Sequence, residues 1–254
     1  MPQSVRPEVP AVSLDQVVRA AFVTKVYGEG DTRVRALDGI SVGFAPRRMT
    51  AVMGPSGSGK STLLHCLAGL DVVDSGRIWI GDLELTAMDE QQRTVLRRDR
   101  LGFIFQSFNL VPSLNVRENI TLPLELAGKH VDPARLDEII AAVGLADRIG
   151  HRPAELSGGQ QQRVAAARAL MGRPDVVFAD EPTGNLDSRS GAELLATMRR
   201  AVDEFGQTII MVTHDPVAAA AADHIVFLAD GTLAGELEGP TVDAILDRIR
   251  TLEG

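Results

Sequence analysis

Hydrophobic and polar positions along the chain follow two rhythms, one of period two and one near 3.6, so strands and helices are expected in alternation. From Leu14 to Phe44 the apolar runs are short and β-type, with Ile40, Val42 and Phe44 alternating, which predicts an antiparallel sheet at the start of the fold. Pro46 interrupts it. Met49 to Met53 is a compact apolar run ending at Gly54, and a glycine-rich loop and a helix over Ser61 to Leu70 follow. Ile78 to Ile80 and Leu83 to Leu85 flank a Gly81-Asp82 turn, the pattern of a hairpin that extends the antiparallel sheet.

Between Gln106 and Ser157 the character changes to that of an inserted helical subdomain. Asp132 can cap a helix with Pro133 at its first position, and Leu136, Ile139, Ile140 and Val143 follow at helical spacing. Gln160 to Met171 predicts a further helix, stopped by Gly172 and Pro174. Val176 to Ala179 is a buried strand that delivers Asp180 and Glu181 at its carboxyl end, where acidic groups usually face a ligand crevice. A helix with Leu194, Leu195, Met198, Val202 and Phe205, a strand over Thr208 to Thr213 and a hairpin around Asp230-Gly231 continue the alternation. An amphipathic helix with Ile245, Leu246, Ile249 and Leu252 closes the chain.

Composition narrows the function classes. With 254 residues, 44% hydrophobic and 24% charged, the chain has an ordinary globular balance, which excludes wholesale disorder, collagen and a coiled-coil rod. A formal net charge of -8 repels polyanions and argues against nucleic acid as a partner. The one cysteine, Cys66, cannot make an internal disulfide or a cysteine cluster for zinc, which fits a reducing compartment and makes the cytoplasm the expected place. Residues 1–13 carry Pro2, Pro7 and Pro10 without an apolar stretch of leader length and read as a flexible tail. No run approaches the ~20 apolar residues of a membrane span.

Gly54, Pro55, Ser56, Gly57, Ser58, Gly59, Lys60 and Ser61 fit the phosphate-loop pattern, with Thr62 next in line. Glycines let backbone N–H groups curl around phosphate oxygens, and the helix that begins there adds its positive end. Lys60 is expected to place a charge on the β- and γ-phosphates of a nucleotide, and Ser61 to give its hydroxyl to Mg²⁺. Asp180 would hold Mg²⁺ through its water shell, while Glu181 orients or deprotonates the attacking water. His65 and Cys66 read as packing residues on the loop's helix, since no second cysteine or ligand pair stands nearby. Arg97, Arg98 and Arg100 read as a solvated helix face.

Leu156, Ser157, Gly158, Gly159 and Gln160 open another helix and so offer a second set of free N–H groups to an anion. With this LSGGQ string in order after the phosphate loop, the sequence resembles the ATP-binding cassette family over about Phe22 to Gly235. The resemblance implies an α/β fold: a P-loop NTPase with a RecA-like core, an antiparallel β-subdomain and an inserted α-helical subdomain. The expected division is a core over 14–106 and 161–235, the helical subdomain over 107–160 and a terminal helix over 236–254. It also implies that the signature helix of one subunit completes the ATP site on the P-loop of another, so that two ATP molecules lie between two cassettes.

By the same resemblance Tyr27 stacks on adenine, Gln106 senses Mg²⁺ and the lytic water, Asp187 in the loop after the acidic strand is a nucleotide-binding residue, and His214 is the switch histidine that contacts the γ-phosphate. Arg47-Arg48 departs from the family at a turn where many relatives carry glycine. Phe105 to Pro112 and Asp180 to Asp187 look like the branch that serves macrolide and lipoprotein exporters and the cell-division cassette. The implied role is an ATPase motor, a homodimer by expectation, docked through its helical subdomain on a separately encoded permease at the inner face of the membrane. The alternative is an ATP-dependent regulatory clamp on a membrane or envelope partner that transports nothing. A P-loop kinase would leave LSGGQ and His214 without a role.

Overall fold

The computed structural model describes residues 15–253; the expected tail over 1–13 and the first residue of the opening strand region, Leu14, lie outside them. Two sheets carry the fold. Strands β1 (Val18–Tyr27), β2 (Val34–Phe44), β4 (Ser75–Ile80) and β5 (Leu83–Glu84) form an antiparallel sheet in the order β2-β1-β4-β5, so both sequence-predicted antiparallel regions join one layer. Strands β3 (Met49–Met53), β6 (Leu101–Phe105), β7 (Val176–Asp180), β8 (Ile209–Val212), β9 (His224–Ala229) and β10 (Thr232–Glu238) form the second, ordered β10-β9-β3-β8-β7-β6. All but β10 run parallel; β10 turns back on β9 at Asp230-Gly231.

Side-chain alternation along these strands feeds two cores. Val177 and Ala179 of β7, with Ile209 and Met211 of β8, pack on one face against α3 (Val116–Leu126), α4 (Pro133–Ala142), α5 (Gly158–Met171) and α6 (Ser188–Phe205). Val176 and Phe178, with Ile210 and Val212, face the other way, onto α1 (Lys60–Leu67) and the antiparallel sheet. Coverage on both faces is why these strands read as unbroken apolar runs. Phe178 is 1% exposed, and burying such a ring stabilises the fold by roughly 1.5–3 kcal/mol.

Local chemistry sets the helix ends. Asp132 caps α4 through its side chain, as expected, with Pro133 in the first turn. Ser157 and Gln160 cap α5 reciprocally, and Asn115 and Glu118 do the same for α3, a helix whose periodicity Pro123 disguises. Helix α1 ends at Leu67, three residues before its sequence-predicted stop, because Gly69 takes the left-handed conformation at φ 65°.

The arginines of α2 (Glu90–Arg100) correct another expectation. They are paired rather than simply solvated: Arg97 donates to the Gly69 carbonyl and to Glu90, Arg98 pairs with Asp99, and Arg100 with Asp175 and Asp82. Arg47 adopts φ 57°, a conformation that favours glycine, which gives the departure noted at that turn a physical meaning. The closing amphipathic helix is α8 (Val242–Glu253); it buries Ile245 and packs Ile249 and Leu252 against the core, while Leu246 faces outward.

Candidate nucleotide site

The glycine-rich loop leaves the carboxyl end of β3, flanked on both sides by parallel strands, and enters α1. Gly59 caps α1 at φ 97°, and a Cβ there would lie 2.3 Å from the Ala36 carbonyl oxygen, so no other residue fits. Lys60 folds back over the loop, its Nζ donating to the Gly54 and Pro55 carbonyls at 3.0 and 2.8 Å. An ammonium has three protons, so one is left for an anion. Burial lowers the pKa of this ammonium, against the opposing pull of the Glu181 and Asp180 carboxylates. Ser56 and Gly57 are exposed at the loop tip, while Ser58 is 3% exposed and its hydroxyl has no hydrogen-bond partner among the described residues. An unmet polar atom inside such a loop suits a phosphate oxygen.

The acidic strand end sits beside it. Ser61 Oγ donates to Asp180 Oδ1 at 3.1 Å, and His65 Nε2 lies 3.3 Å from Asp180 Oδ2. His65 thus touches the acidic strand end, a contact that its reading as a packing residue does not include, whereas Cys66 is buried as expected. The missed signal is spacing: positions 61 and 65 are one helical turn apart and face the same way. The Asp180 hydrogen bond raises the His65 pKa, against burial. Among the described residues no three His, Cys, Asp or Glu side chains converge on a metal position. Ser61 and Asp180 instead offer a pair of hard oxygens, the donor type that Mg²⁺ takes in small number beside phosphates and water.

Glu181 adopts φ 46°, in the left-handed region, held by its own N–H to the Val212 carbonyl at 2.9 Å and by the Gly184 N–H to its carbonyl at 3.0 Å. Strain of that kind clusters at functional positions. Its Oε1 lies 2.9 Å from His214 Nδ1, so the two residues expected to act on the γ-phosphate and its water are in direct contact. Gln106 is placed differently. Its Nε2 donates to Asn185 Oδ1, and Asn185 Nδ2 donates back to the Gln106 carbonyl, both at 3.1 Å. The glutamine thus engages the loop after Glu181 rather than the Ser61–Asp180 pair.

Asp187 is a second departure from expectation. Its Oδ1 accepts from the Arg189 and Ser190 N–H groups and its Oδ2 from the Ser190 hydroxyl, which caps α6 and holds the carboxyl below its usual pKa. An N-cap with both oxygens engaged has little left for a nucleotide.

Tyr27 ends β1, 42% exposed, with the Thr62 hydroxyl beside its phenol. A cleft of about 450 Å³ opens over the loop, lined by Met53, Gly54, Pro55, Ser56, Lys60, Glu181, His214 and Ile249. Ile249 arrives from α8, a contribution that helical periodicity alone does not announce. Ser157, Gly158, Gly159 and Gln160 are absent from that lining; they open α5, with Ser157 N and Gln160 N closed into the capping box.

A phosphate loop at the carboxyl end of a parallel strand, an acidic pair at the end of β7, one strand removed from it, and a Glu–His contact define a P-loop ATPase cassette. A family model described as ABC transporter matches residues 37–184. The lipoprotein-releasing system ATP-binding protein LolD of Bordetella avium is 43% identical over 87% of this chain and 97% of its own length. The macrolide export ATP-binding/permease protein MacB of Neisseria meningitidis serogroup B is 44% identical over 87% of this chain and 34% of its own, so the chain spans about a third of the MacB relatives it matches. Among solved structures, a dimeric ATP-binding cassette in a post-hydrolysis state with ADP and Pi superposes with a TM-score of 0.79 at 36% identity, covering 88% of this chain and 99% of that one. The chain belongs to the ABC transporter family, as one of its ATPase cassettes.

Proposed function

We propose that this chain is the motor of a membrane transporter, in which two copies close around two ATP molecules and hydrolysis separates them while a separately encoded permease follows. The position of the signature supports this reading best. The start of α5 offers an anion site, yet it lies outside the cleft of its own P-loop. A Cβ at Gly159 would meet Ser190 Oγ at 2.6 Å, so internal packing demands that glycine. At Gly158 the nearest atom would be Phe108 Cζ at 3.6 Å, an ordinary contact. Bare backbone at Gly158 suits a group arriving from outside the chain, and the phosphates on a second cassette are such a group.

Within each site the Lys60 loop grips phosphate, Tyr27 stacks on the base, and Glu181, braced by His214, orients the attacking water and takes its proton. Mg²⁺ fits the Ser61 and Asp180 oxygens and, when bound, neutralises charge on the β- and γ-phosphates. ATP can do work only because it binds the closed pair more tightly than the open one.

A groove of about 280 Å³ lined by Phe103, Phe105, Leu122, Pro123, Leu126 and Arg168, among others, is the docking place we assign to the permease. Leu126 is 75% exposed there. Arg168 holds the Asn109 and Phe108 carbonyls, so pressure on the groove reaches the segment that carries Gln106, and from Gln106 the Asn185 loop beside Glu181. No helix of the described residues is long and apolar enough to cross a membrane, and on this reading the chain sits on the inner face through its partner. The similarity to MacB and LolD supports an exporter or mechanotransmission role.

The test is Leu126→Asp in the native cell. The unaltered chain is expected to sediment with membranes, and the variant to shift to the supernatant with nucleotide binding intact; equal membrane fractions would remove the groove from docking. Solute transport by the co-purified partner separates a motor from a regulatory clamp, which would keep ATP-dependent docking and move nothing.

A further inference from the structure

Tyr27 is the only tyrosine in the chain, and its surroundings are more constrained than a surface aromatic requires. Its phenol donates to Asp71 Oδ2 at 2.6 Å. Lys25 stands two residues earlier on β1, hence on the same face of the strand, with its Nζ 4.9 Å from the centre of the Tyr27 ring. The same ammonium pairs with Asp71 Oδ1 at 2.8 Å and donates to the Val72 carbonyl at 2.7 Å. One carboxylate therefore grips the ring at its oxygen and anchors the cation that covers one of its faces. Asp71 lies just beyond α1, the helix that opens with Lys60 and Ser61, so the ring is indexed to the phosphate loop through a short rigid path. Val26 N–H adds a tie to Asp74 at 2.6 Å, fastening the end of β1 to the same segment.

We propose that Asp71 and Lys25 are positioning residues for nucleotide binding: they set the Tyr27 ring, before any ligand arrives, as a fixed shelf with one face closed by the ammonium and the other left for a purine base. The inference rests on the reading of Tyr27 as the base-stacking residue. A free tyrosine side chain gives up rotamer freedom when a base settles on it, and a ring already held does not. The cation behind the ring also draws electron density away from the open face, which favours stacking against an electron-rich base. Neither residue lines the cleft over the phosphate loop, so on this proposal their effect belongs to the base and not to the triphosphate.

The experiment compares two probes on the full chain, ATP and inorganic tripolyphosphate, which lacks the base. Asp71→Asn and Lys25→Met are each expected to weaken ATP about threefold to tenfold while leaving tripolyphosphate affinity within twofold. Asp71→Glu and Lys25→Arg are expected to recover most of the loss. Lys25→Met keeps the test available if Asp71→Asn does not fold, and tripolyphosphate binding reports folding of the loop in every variant. A second readout uses the lone phenol, which burial first and the Asp71 hydrogen bond second push above its ordinary pKa. Its phenolate absorbance in the near ultraviolet is expected to develop at lower pH in Asp71→Asn. If Tyr27→Ala lowers the ratio of ATP to tripolyphosphate affinity but neither Asp71→Asn nor Lys25→Met does, the positioning role is overturned and the shelf survives. If Tyr27→Ala leaves that ratio unchanged, the shelf and the positioning role fall together.

Discussion

Glu181→Gln is expected to lower ATP turnover by about a hundredfold to ten-thousandfold while leaving nucleotide affinity unchanged, the range expected when a positioned general base is lost. The amide keeps the length of the side chain and can still hydrogen-bond His214 Nδ1, 2.9 Å from the native carboxylate oxygen, so the site's shape survives. What disappears is a group able to take the proton of the attacking water. The backbone at φ 46° carries the side chain to the edge of the cleft, where it is 19% exposed and meets His214. Because the closed pair then cannot complete hydrolysis, the variant should accumulate as a dimer in ATP by sizing or light scattering. Unchanged turnover would remove Glu181 from the catalytic role.

Lys60→Ala acts a step earlier. Lys60 is 9% exposed, with its ammonium poised between the loop carbonyls and the two carboxylates, so on the proposed reading its loss removes a charge-assisted hydrogen bond to phosphate in a desolvated setting. Such a bond contributes roughly 1.5–3 kcal/mol, and ATP affinity is expected to fall about tenfold to a hundredfold, read by titration calorimetry. The loop's own shape also depends on Lys60 holding the Gly54 and Pro55 carbonyls, so tripolyphosphate should weaken in parallel. That pattern is opposite to the one expected at Tyr27. An Ala variant that binds ATP as the native chain does would contradict the phosphate role of Lys60.

Local patterns carried much of this site. The phosphate loop, the acidic strand end and the signature were legible because each is a contiguous string whose chemistry follows from neighbouring residues. Strand order was not legible in the same way, because the parallel pairing of β3 with β8 and β9 joins residues far apart in sequence. The residues whose partners were not legible share a cause. His65 looks like packing until the fold brings Asp180 within 3.3 Å, and Asp187 looks like a ligand until its own helix claims both oxygens. Gln106 finds Asn185 across 79 positions, a partner no local window contains. Arg100 of α2 looks solvated in the local pattern because its acids, Asp175 and Asp82, arrive from other elements.

Shared sites between copies leave a signature that neither copy shows alone. Ser157→Arg places a long cation at the start of α5, where it would block the partner's phosphates and leave its own P-loop untouched, and Lys60→Ala does the reverse. Each variant by itself is expected to be nearly inactive. Mixed in equal amounts, they can form a pair in which the intact P-loop of one chain meets the intact signature of the other, and ATPase activity should reappear at a fraction of the native rate. Two folded variants that stay inactive at every mixing ratio, or a Ser157→Arg chain that hydrolyses ATP at the native rate by itself, would contradict a site built from two chains.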